Sequence, residues 1–376
     1  MTEQHDNQTV RYYEDLGCWA AWGRETVQHA LQDASLSSAT LDAANLSYLP
    51  ADMHERCAHL IETMRRWFVL LDGPAHTSAR RAIQPMFSPR RVRHLEDTLD
   101  ELVARSLQEF VASGSDDVVP DLADKISARA IAHLLGLPGT DDERLHTWAR
   151  ALADFLATSY RRDCAIKAQA ALMEMGEFIK NAPDEAGEGI WSRAAGDDWE
   201  RLATSSMLLF GGLETTAGLI GFALWYMFGN RLQAEVASSE TGVEADAIVE
   251  RALELYAPLG HIARTALEDT ELGGCPIAKG DLVLVSLTGR DVFDSPIRPR
   301  EAVAHEGNGP ADHVAFGFGM HYCVGAPMAR ITVARLLTLF ARQFPHAAIR
   351  DVQWRKNRTF RGFEHLRLDL NNAGPR

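Results

Sequence analysis

The chain has 376 residues, of which 46% are hydrophobic and 24% are charged, the proportions of an ordinary globular protein rather than a disordered, fibrous or disulfide-stapled one. Its 38 Lys and Arg residues against 52 Asp and Glu residues give a net charge of −14, which argues against nucleic acid as the main partner. The five cysteines are widely spaced and form no C-x-x-C pair, so a disulfide framework or a zinc ribbon is not expected. A reducing cytoplasm is the predicted location.

Helices dominate the predicted elements, with a minor β portion. Strand-like stretches cover residues 18–22, 262–272, 282–286 and 366–370, toward the two ends of the chain. Apolar residues recur at helical spacing in residues 95–110, 122–137, 147–158, 165–179, 199–228, 245–256 and 326–344. Loops at 181–189 and 306–310 are short, and no repeat or low-complexity tract divides the chain. These features predict a single domain over residues 1–376, mainly α with minor β, with a flexible segment at 1–10.

One segment is long and apolar enough to suggest a membrane span. From Ser205 to Phe228 the only charged residue is Glu214, which lies near the middle. Basic residues do not flank one side of the segment preferentially, as the orientation of a membrane helix requires. The opening residues are polar and acidic and resemble no signal peptide. The segment is therefore predicted to be a buried core helix that carries a polar site halfway along.

The residues FGFGMHYCVGAPMAR, Phe316 to Arg330, form a glycine-spaced loop that runs into a predicted helix just after Cys323. Loop and helix-start N–H groups favour a thiolate at such a junction, and a thiolate is a soft ligand suited to iron. Gly317 and Gly319 permit the positive φ angles of a tight loop, and Gly325 allows a flat cofactor to approach the backbone. Without the surrounding loop, Cys323 would be interpreted as a small buried hydrophobic residue.

This loop resembles the haem-binding loop of the cytochromes P450, with Met328 where leucine is usual. The resemblance implies a single-domain cytochrome P450 fold, with haem between the long central helix and the helix that follows the cysteine loop. It also implies haem b with Cys323 as the proximal iron ligand and metal-binding residue. Phe316 and Gly325 match haem-contacting positions of the loop.

The resemblance extends to residues that serve the haem propionates. The segment 72–92 is similar to the family stretch in which a histidine and an arginine four residues later contact a propionate, here His76 and Arg80. Arg264 and His321 match the other propionate positions. A cofactor with two buried carboxylates requires fixed cations or donors. The alternative for each residue alone is a solvated surface charge.

The long helix contains GGLETT, Gly211 to Thr216, which resembles the family's oxygen-binding groove with its acid and alcohol. Two adjacent glycines in a helix each cost roughly 1 kcal/mol relative to alanine and therefore suggest a close approach or a local distortion. The resemblance implies that Thr215 donates a hydrogen bond in oxygen activation and that Glu214 connects it to a proton supply. The alternative is helix packing at small residues, with the Thr215 hydroxyl bonded to its own helix.

One family pattern is altered. The helix that usually carries Glu-x-x-Arg reads Arg251-Ala-Leu-Glu254 when Pro258 is aligned with the following proline. The three-residue spacing still allows an ion pair on one helix face, and Arg298 or Arg300 is the expected third partner of Glu254. We predict that this pair helps to retain haem, so that its removal lowers haem occupancy or thermal stability.

Substrate contacts are expected from family regions rather than from a motif. His261 is the one residue of the stretch 259–262 that can donate a side-chain hydrogen bond near neutral pH, and it is predicted to orient a polar or anionic substrate group. Backbone or propionate bonding of His261 is the alternative. The candidate substrate residues are Leu208, Leu259, His261, Ile262 and Phe360.

The resemblance implies a haem-thiolate oxidase or monooxygenase that activates O₂ and oxidises a small-molecule metabolite in natural-product biosynthesis. Hydroxylation, cyclisation, coupling and desaturation share the same oxidant and remain open. Because the sequence contains no flavin or iron–sulfur signature, electrons are expected from a ferredoxin with its reductase, or from a flavodoxin-type donor. The alternative is a non-catalytic family member that serves as a scaffold or ligand-binding partner.

Overall fold

The computed structural model describes residues 8–39, 49–137, 139–158, 161–182, 196–291 and 312–370. Of the predicted flexible segment 1–10, residues 1–7 lie outside these ranges, and Val10 opens the first strand. Most of the predicted loop at 181–189 and all of that at 306–310 also lie outside them, as do Arg298 and Arg300.

The fold is mainly helical, as predicted. The helices are α1 (Arg24–Gln32), α2 (Ala51–Arg56), α3 (Ala58–Met64), α4 (Gly73–Ile83), α5 (Pro89–Ser113), α6 (Asp124–Leu134), α7 (Asp142–Ala157), α8 (Arg162–Lys180), α9 (Asp198–Gly229), α10 (Gln233–Ser238), α11 (Val243–Tyr256) and α12 (Ala326–Gln343).

The long periodic segments match these helices to within a few residues at most ends. The largest differences are at the starts of α5 and α7, which begin six and five residues before the predicted segments 95–110 and 147–158. The predicted helix 122–137 begins inside a π-helical turn, Val119–Ala123, and its α-helix ends at Leu134. Helices α1 to α4 were not predicted from periodicity; α2 and α3 have six and seven residues, too short for a periodic signal.

Strands from both ends of the chain meet in one sheet of order β1-β2-β7-β4-β3. Its members are β1 (Val10–Tyr13), β2 (Cys18–Ala21), β3 (Leu36–Ser37), β4 (His261–Ala266) and β7 (Leu282–Ser286). Only β2 and β7 pair in parallel within the described residues. Two hairpins complete the β portion: β5 (Thr270–Leu272) with β6 (Cys275–Ile277), and β8 (Ala348–Trp354) with β9 (Phe363–Asp369).

The strand-like stretches predicted from the sequence match only some of the observed strands. Strands β2 and β7 match predicted stretches, and the predicted stretch 262–272 divides into β4 and β5. Strands β1, β3, β6 and β8 were missed. Three of them have four residues or fewer, and β8 carries charged residues that obscure its alternation.

Helix α9 forms the centre of the helical core. A capping box starts it, because the Asp197 side chain accepts from the Glu200 N–H and the Glu200 side chain accepts from the Asp197 N–H. It is long and apolar enough to cross a membrane, but 72% of its most apolar window is buried inside the fold. It contacts α6, α7, α11 and α12, which is the placement of a core helix, as predicted.

Candidate functional site

The cysteine loop lies between the sheet and helix α12. Gly317 and Gly319 have φ angles of 73° and 69°, which confirms the predicted left-handed turn positions. The Cys323 N–H donates to the Phe316 carbonyl at 2.9 Å and closes the loop, and α12 begins three residues after the cysteine. A Cβ on Gly325 would lie 3.9 Å from the Cys323 sulfur, so glycine keeps the space beside the sulfur open.

Cys323 is an exposed residue, and protein groups surround its thiol. Removal from bulk water raises the pKa of the thiol, whereas the N–H groups of Gly325 and Ala326 and the charges of Arg80 and Arg330 act in the opposite direction. These donors and cations favour negative charge on sulfur once it binds a cation. The donors and cations expected at the junction of loop and helix N-terminus are present, but burial outweighs them and the pKa of the Cys323 thiol is raised.

The four predicted propionate residues converge beside this loop. His76 and Arg80 lie on α4, Arg264 on β4, and His321 in the loop. The rings of His76 and His321 are 4.1 Å apart between centroids, and the Arg80 guanidinium donates to the Tyr322 carbonyl at 2.6 Å. The fold thus brings together residues that the sequence pattern identified in three separate parts of the chain.

Buried nitrogens without hydrogen-bond partners mark this cluster as a site for an anion. Within the described residues they are both ring nitrogens of His76, Nη1 of Arg80 and Nδ1 of His321. Burial lowers the pKa of Arg264 to about 10, and burial together with the charges of His76 and Arg264 lowers that of His321 to about 3. Unpaired buried donors are costly, and two carboxylates would satisfy them. With Cys323 nearby, the residues fit a haem group.

A polar group next to this cluster was not assigned from the sequence. Asp72 accepts from the Ser37 hydroxyl and from the Ser38 N–H at 3.0 Å, and the Ser38 hydroxyl lies 3.0 Å from Nε2 of His321. The Asp72 carboxylate is close enough to raise the pKa of Arg264 against the effect of burial. The sequence signal for this contact was the position of Asp72 at the start of segment 72–92, which is similar to a family segment.

The two glycines of α9 have different roles. A Cβ on Gly211 would meet nothing within 4 Å, whereas one on Gly212 would lie 2.7 Å from Cδ1 of Ile131 on α6. Gly212 therefore allows two helices to approach, and Gly211 leaves open space in the middle of a mostly buried helix. The Thr215 hydroxyl donates to the Gly211 carbonyl at 2.5 Å. The alternative given for Thr215, a hydrogen bond to the backbone of its own helix, is therefore present, and it lies beside that open space.

Glu214 lies on the buried side of α9 in a group of cationic side chains. Its side chain is 3% exposed; Oε2 accepts from Arg355 at 2.5 Å, while Oε1 is 3.9 Å from Nδ1 of His146 and from Nε of Arg150. Burial alone would raise the pKa of Glu214, but His146, Arg355 and Arg150 lower it to about 2. These partners are distant in sequence, and sequence analysis missed them.

The exchanged charges on α11 form an ion pair, as their spacing predicted. Arg251 and Glu254 are in contact, with side chains 13% and 22% exposed. The predicted third partners Arg298 and Arg300 lie outside the described residues. Whether this pair retains haem stays a prediction.

A neighbouring carboxylate connects α11 directly to the cysteine loop. Glu250 accepts two hydrogen bonds from Arg330 on α12, at 2.6 and 2.9 Å, and lies 3.1 Å from Nε2 of His313. The Arg330 guanidinium lies 4.5 Å from the Phe316 ring centroid and donates to the Tyr322 hydroxyl at 3.3 Å. Sequence analysis missed Glu250, although it stands beside the exchanged pair.

Two of the candidate substrate residues lie where α9 meets the C-terminal turn and β4. Leu259 pairs with Phe360 in a β-bridge, and the Phe360 ring packs edge-on against Phe210 at 5.3 Å. Phe210 in turn stacks on Trp67; neither aromatic was a candidate. Leu208 is buried in the helical core at one turn before Gly211.

His261 is separated from the propionate cluster by the alternation of β4. Because successive side chains point to opposite faces of a strand, Ile262 shares a face with Arg264 and His261 does not. Nε2 of His261 lies 3.3 Å from the Thr359 hydroxyl. Burial, with the charges of Arg361 and Arg358, lowers the pKa of His261 to about 4, so the ring is neutral near pH 7. Its role toward substrate stays a prediction.

Comparison with known proteins gives a consistent set of relatives. A family model described as Cytochrome P450 matches residues 245–363. Cytochrome P450 165C4 of Amycolatopsis orientalis is 30% identical over 287 residues, which are 73% of this chain and 68% of the relative. The steroid C26-monooxygenase of Mycolicibacterium smegmatis is 28% identical over 374 residues, covering 96% and 86%. The 6-deoxyerythronolide B hydroxylase of Saccharopolyspora erythraea is 27% identical over 380 residues, covering 94% and 90%.

Solved structures share the fold across nearly the whole chain. P450BioI, in complex with hexadec-9Z-enoic acid ligated acyl carrier protein, superposes with a TM-score of 0.81 at 21% identity, covering 96% of this chain and 94% of that one. The tirandamycin C-bound P450 monooxygenase TamI superposes with a TM-score of 0.76 at 26% identity, covering 94% and 90%. The predicted fold class is thereby confirmed.

Proposed function

Because the chain belongs to the cytochrome P450 family, a family of haem-dependent oxidoreductases, we propose that it is a monooxygenase-type enzyme of natural-product biosynthesis that oxidises a small-molecule metabolite. The haem supplies the oxidising chemistry when it is bound, using O₂ and electrons from a separate donor protein. The observation that carries the proposal is the convergence of Cys323 with the unpartnered nitrogens of His76, Arg80 and His321.

We assign the haem contacts to these residues. Cys323 is the iron ligand, and His76, Arg80, Arg264 and His321 bind the propionates, as the buried unpaired donors support. Phe316 and Gly325 complete the proximal side: the Phe316 carbonyl closes the loop, and Gly325 leaves room beside the sulfur.

The catalytic roles fall to Thr215 and Glu214. Thr215 is half-buried beside the open space at Gly211, so its hydroxyl can exchange the helix carbonyl for a ligand in that space. Glu214 is the preceding residue and faces the buried cationic group. Thr215 would therefore present its hydroxyl to a ligand in the open space at Gly211, while Glu214 would link it to groups that can supply a proton.

A largely apolar substrate is supported by the aromatic side chains near Gly211. Phe210 and Phe360 pack together where α9 meets the C-terminal turn, and pockets for small molecules are mostly apolar with a few placed polar groups. Two of the relatives are named for a steroid and for 6-deoxyerythronolide B, which supports a hydrophobic metabolite of that size class. Leu208, Leu259, Ile262 and Phe360 are the proposed apolar contacts, and His261 is the candidate polar one.

The electron donor is proposed to be an acidic ferredoxin or flavodoxin that docks beside Cys323. A groove of about 430 Å³ lies there, lined in part by Arg80, Arg81, Gln84 and Tyr322. Met320 and Tyr322 are 54% and 40% exposed. A basic and apolar patch on a chain of net charge −14 favours an acidic partner, and the rate of reduction should fall as salt is added.

The test begins with a ligand screen on the purified haem protein and continues with turnover. Substrate-type shifts of the haem spectrum identify candidate metabolites. Incubation with O₂, a ferredoxin and its reductase should then yield a product whose mass reports hydroxylation, ring closure, coupling or desaturation. A haem protein that binds metabolites but forms no product with any donor would favour the scaffold alternative and refute the proposal.

A further inference from the structure

A buried histidine faces the carboxylate of Glu214 from the neighbouring helix. His146 on α7 and Glu214 on α9 are each 4% exposed. Their nearest atoms, Nδ1 and Oε1, are 3.9 Å apart, and neither atom has a hydrogen-bond partner in the described part of the chain. Two unsatisfied buried polar atoms that face each other require an explanation.

The other ring nitrogen determines the proton on the histidine. Nε2 of His146 lies 2.6 Å from the backbone carbonyl of Asp124, and a carbonyl oxygen can only accept. Nε2 therefore carries a proton. In a neutral ring, Nδ1 would then present a lone pair to Glu214, which is repulsive toward a carboxylate. The contact becomes attractive when the two groups share one additional proton.

The charges around the pair come from four elements. Glu214 on α9 binds Arg355, which follows β8, and is 3.9 Å from Arg150 on α7. Arg150 also pairs with Asp124 on α6. The carboxylate of Asp142, at the start of α7, lies near His146 and bonds to Arg129.

These surroundings favour a charged ring. Burial lowers the pKa of His146, but Glu214 and Asp124 outweigh it, and the net shift is upward. The same contact and the charges of Arg355 and Arg150 lower the pKa of Glu214, so at rest the proton of the pair lies on His146.

We propose that His146 is the proton donor for Glu214 and thus a further member of the proton path to Thr215. This inference rests on the proposed role of Glu214. In the step, the Nδ1–H bond of the imidazolium breaks and an O–H bond forms at Oε1, which leaves a neutral imidazole and a carboxylic acid. No electrons change hands. His146 then takes a new proton from solvent at the edge of this buried group. Arg150, whose side chain is 52% exposed, covers that edge.

Arg355 is the positioning residue in this path. Its guanidinium holds Oε2 at 2.5 Å and also donates to the Phe363 carbonyl at 3.2 Å, which leaves Oε1 directed toward the histidine. A side-chain rotation that shortens the 3.9 Å separation by about 1 Å brings Nδ1 and Oε1 to hydrogen-bond distance. Such tightening is common when a substrate closes a catalytic site.

The first arm of the test measures the proton on His146 directly. The ring nitrogens are followed by NMR through a pH titration of the reduced, carbon-monoxide-bound protein, which is diamagnetic. We expect a titration midpoint above the ordinary value of 6.5 in the wild type. In Glu214→Gln the midpoint should fall, because burial and Asp124 remain and the Glu214 carboxylate is gone. A wild-type midpoint at or below 6.5 would overturn the inference.

The second arm measures coupling of electrons to product. In His146→Gln we expect product per electron to fall at least about tenfold, toward the 10²–10⁴ typical of a lost general acid, with the balance appearing as peroxide. The pH dependence of coupling should also disappear. His133→Gln, on α6 and outside the site, is the matched control and should behave as the wild type does.

The outcomes separate this inference from the proposed function. Equal coupling and an unchanged pH profile in His146→Gln, in an enzyme that forms product, would refute the donor role and leave the function intact. Failure of the wild type to form product would refute the function, while the NMR titration would still decide whether His146 and Glu214 share a proton. If His146→Gln does not fold, the wild-type and Glu214→Gln titrations carry the test.

Discussion

Replacing Glu250 by glutamine is expected to loosen the cysteine loop. The carboxylate accepts from Arg330 at 2.6 and 2.9 Å and lies 3.1 Å from His313, so it joins α11 to both ends of that loop. Glutamine keeps the size of the side chain but removes the charge and one acceptor. Hydrogen bonds to charged groups contribute about 1.5–3 kcal/mol. Both partners of the Arg330 pair are 32% exposed, and solvent screening reduces the expected loss to about 1–2 kcal/mol.

The assay is thermal unfolding together with the carbon-monoxide difference spectrum. We expect Glu250→Gln to melt a few degrees lower and to lose part of the red-shifted band typical of thiolate ligation. Glu254→Gln is the matched control, because its described contact is with Arg251 on the same helix, and it should lose less of the band. If Glu254→Gln loses more than Glu250→Gln, the loop is held through the exchanged pair, and the role given to Glu250 is wrong.

The pH dependence of this contact has a defined sign. Burial would raise the pKa of Glu250, but His313 and Arg330 lower it from 4.5 to about 2. A group whose pKa is lower in the folded state stabilises the fold above its unfolded pKa. The difference in stability between wild type and Glu250→Gln should therefore be complete above about pH 4.5 and vanish as the pH falls toward 2.

Three further substitutions test other parts of the site. Thr215→Ala should leave haem and substrate binding intact and divert electrons to peroxide; unchanged coupling would show that the hydroxyl is not needed. Arg355→Gln should destabilise the fold by about 3 kcal/mol, the lower end for a broken buried pair, since other cations still face Glu214; an unaltered denaturation midpoint would contradict this. His261→Phe should weaken binding of a polar substrate, whereas equal affinity and the same product would remove His261 from the substrate site.

The sequence predicted the parts of the fold that depend on local pattern. The long helices follow from apolar periodicity, and the haem side of the site follows from motifs in which residue types occur at fixed spacing around Cys323 and His76. Gly317 and Gly319 were predicted correctly because a positive φ angle restricts residue type so strongly. Short elements such as β3 lack enough residues for a pattern.

Contacts between distant segments were not predictable from one sequence. His146 and Arg355 lie 68 and 141 residues from Glu214 along the chain, and nothing local to either residue indicates a carboxylate partner. Glu250 was missed for another reason: the family pattern concerns positions 251 and 254, whereas the residue that contacts the cysteine loop is the one immediately before them. The partners of Glu214 and of Glu250 depend on the direction of their side chains, which the fold sets.

The carbon-monoxide difference spectrum of the reduced wild-type protein, measured beside that of Cys323→Ser, tests most directly whether Cys323 holds the haem iron. We expect the strongly red-shifted band of a thiolate-ligated haem in the wild type and its loss in Cys323→Ser. A wild-type band of the histidine-ligated type, or a red-shifted band that persists in Cys323→Ser, would contradict it.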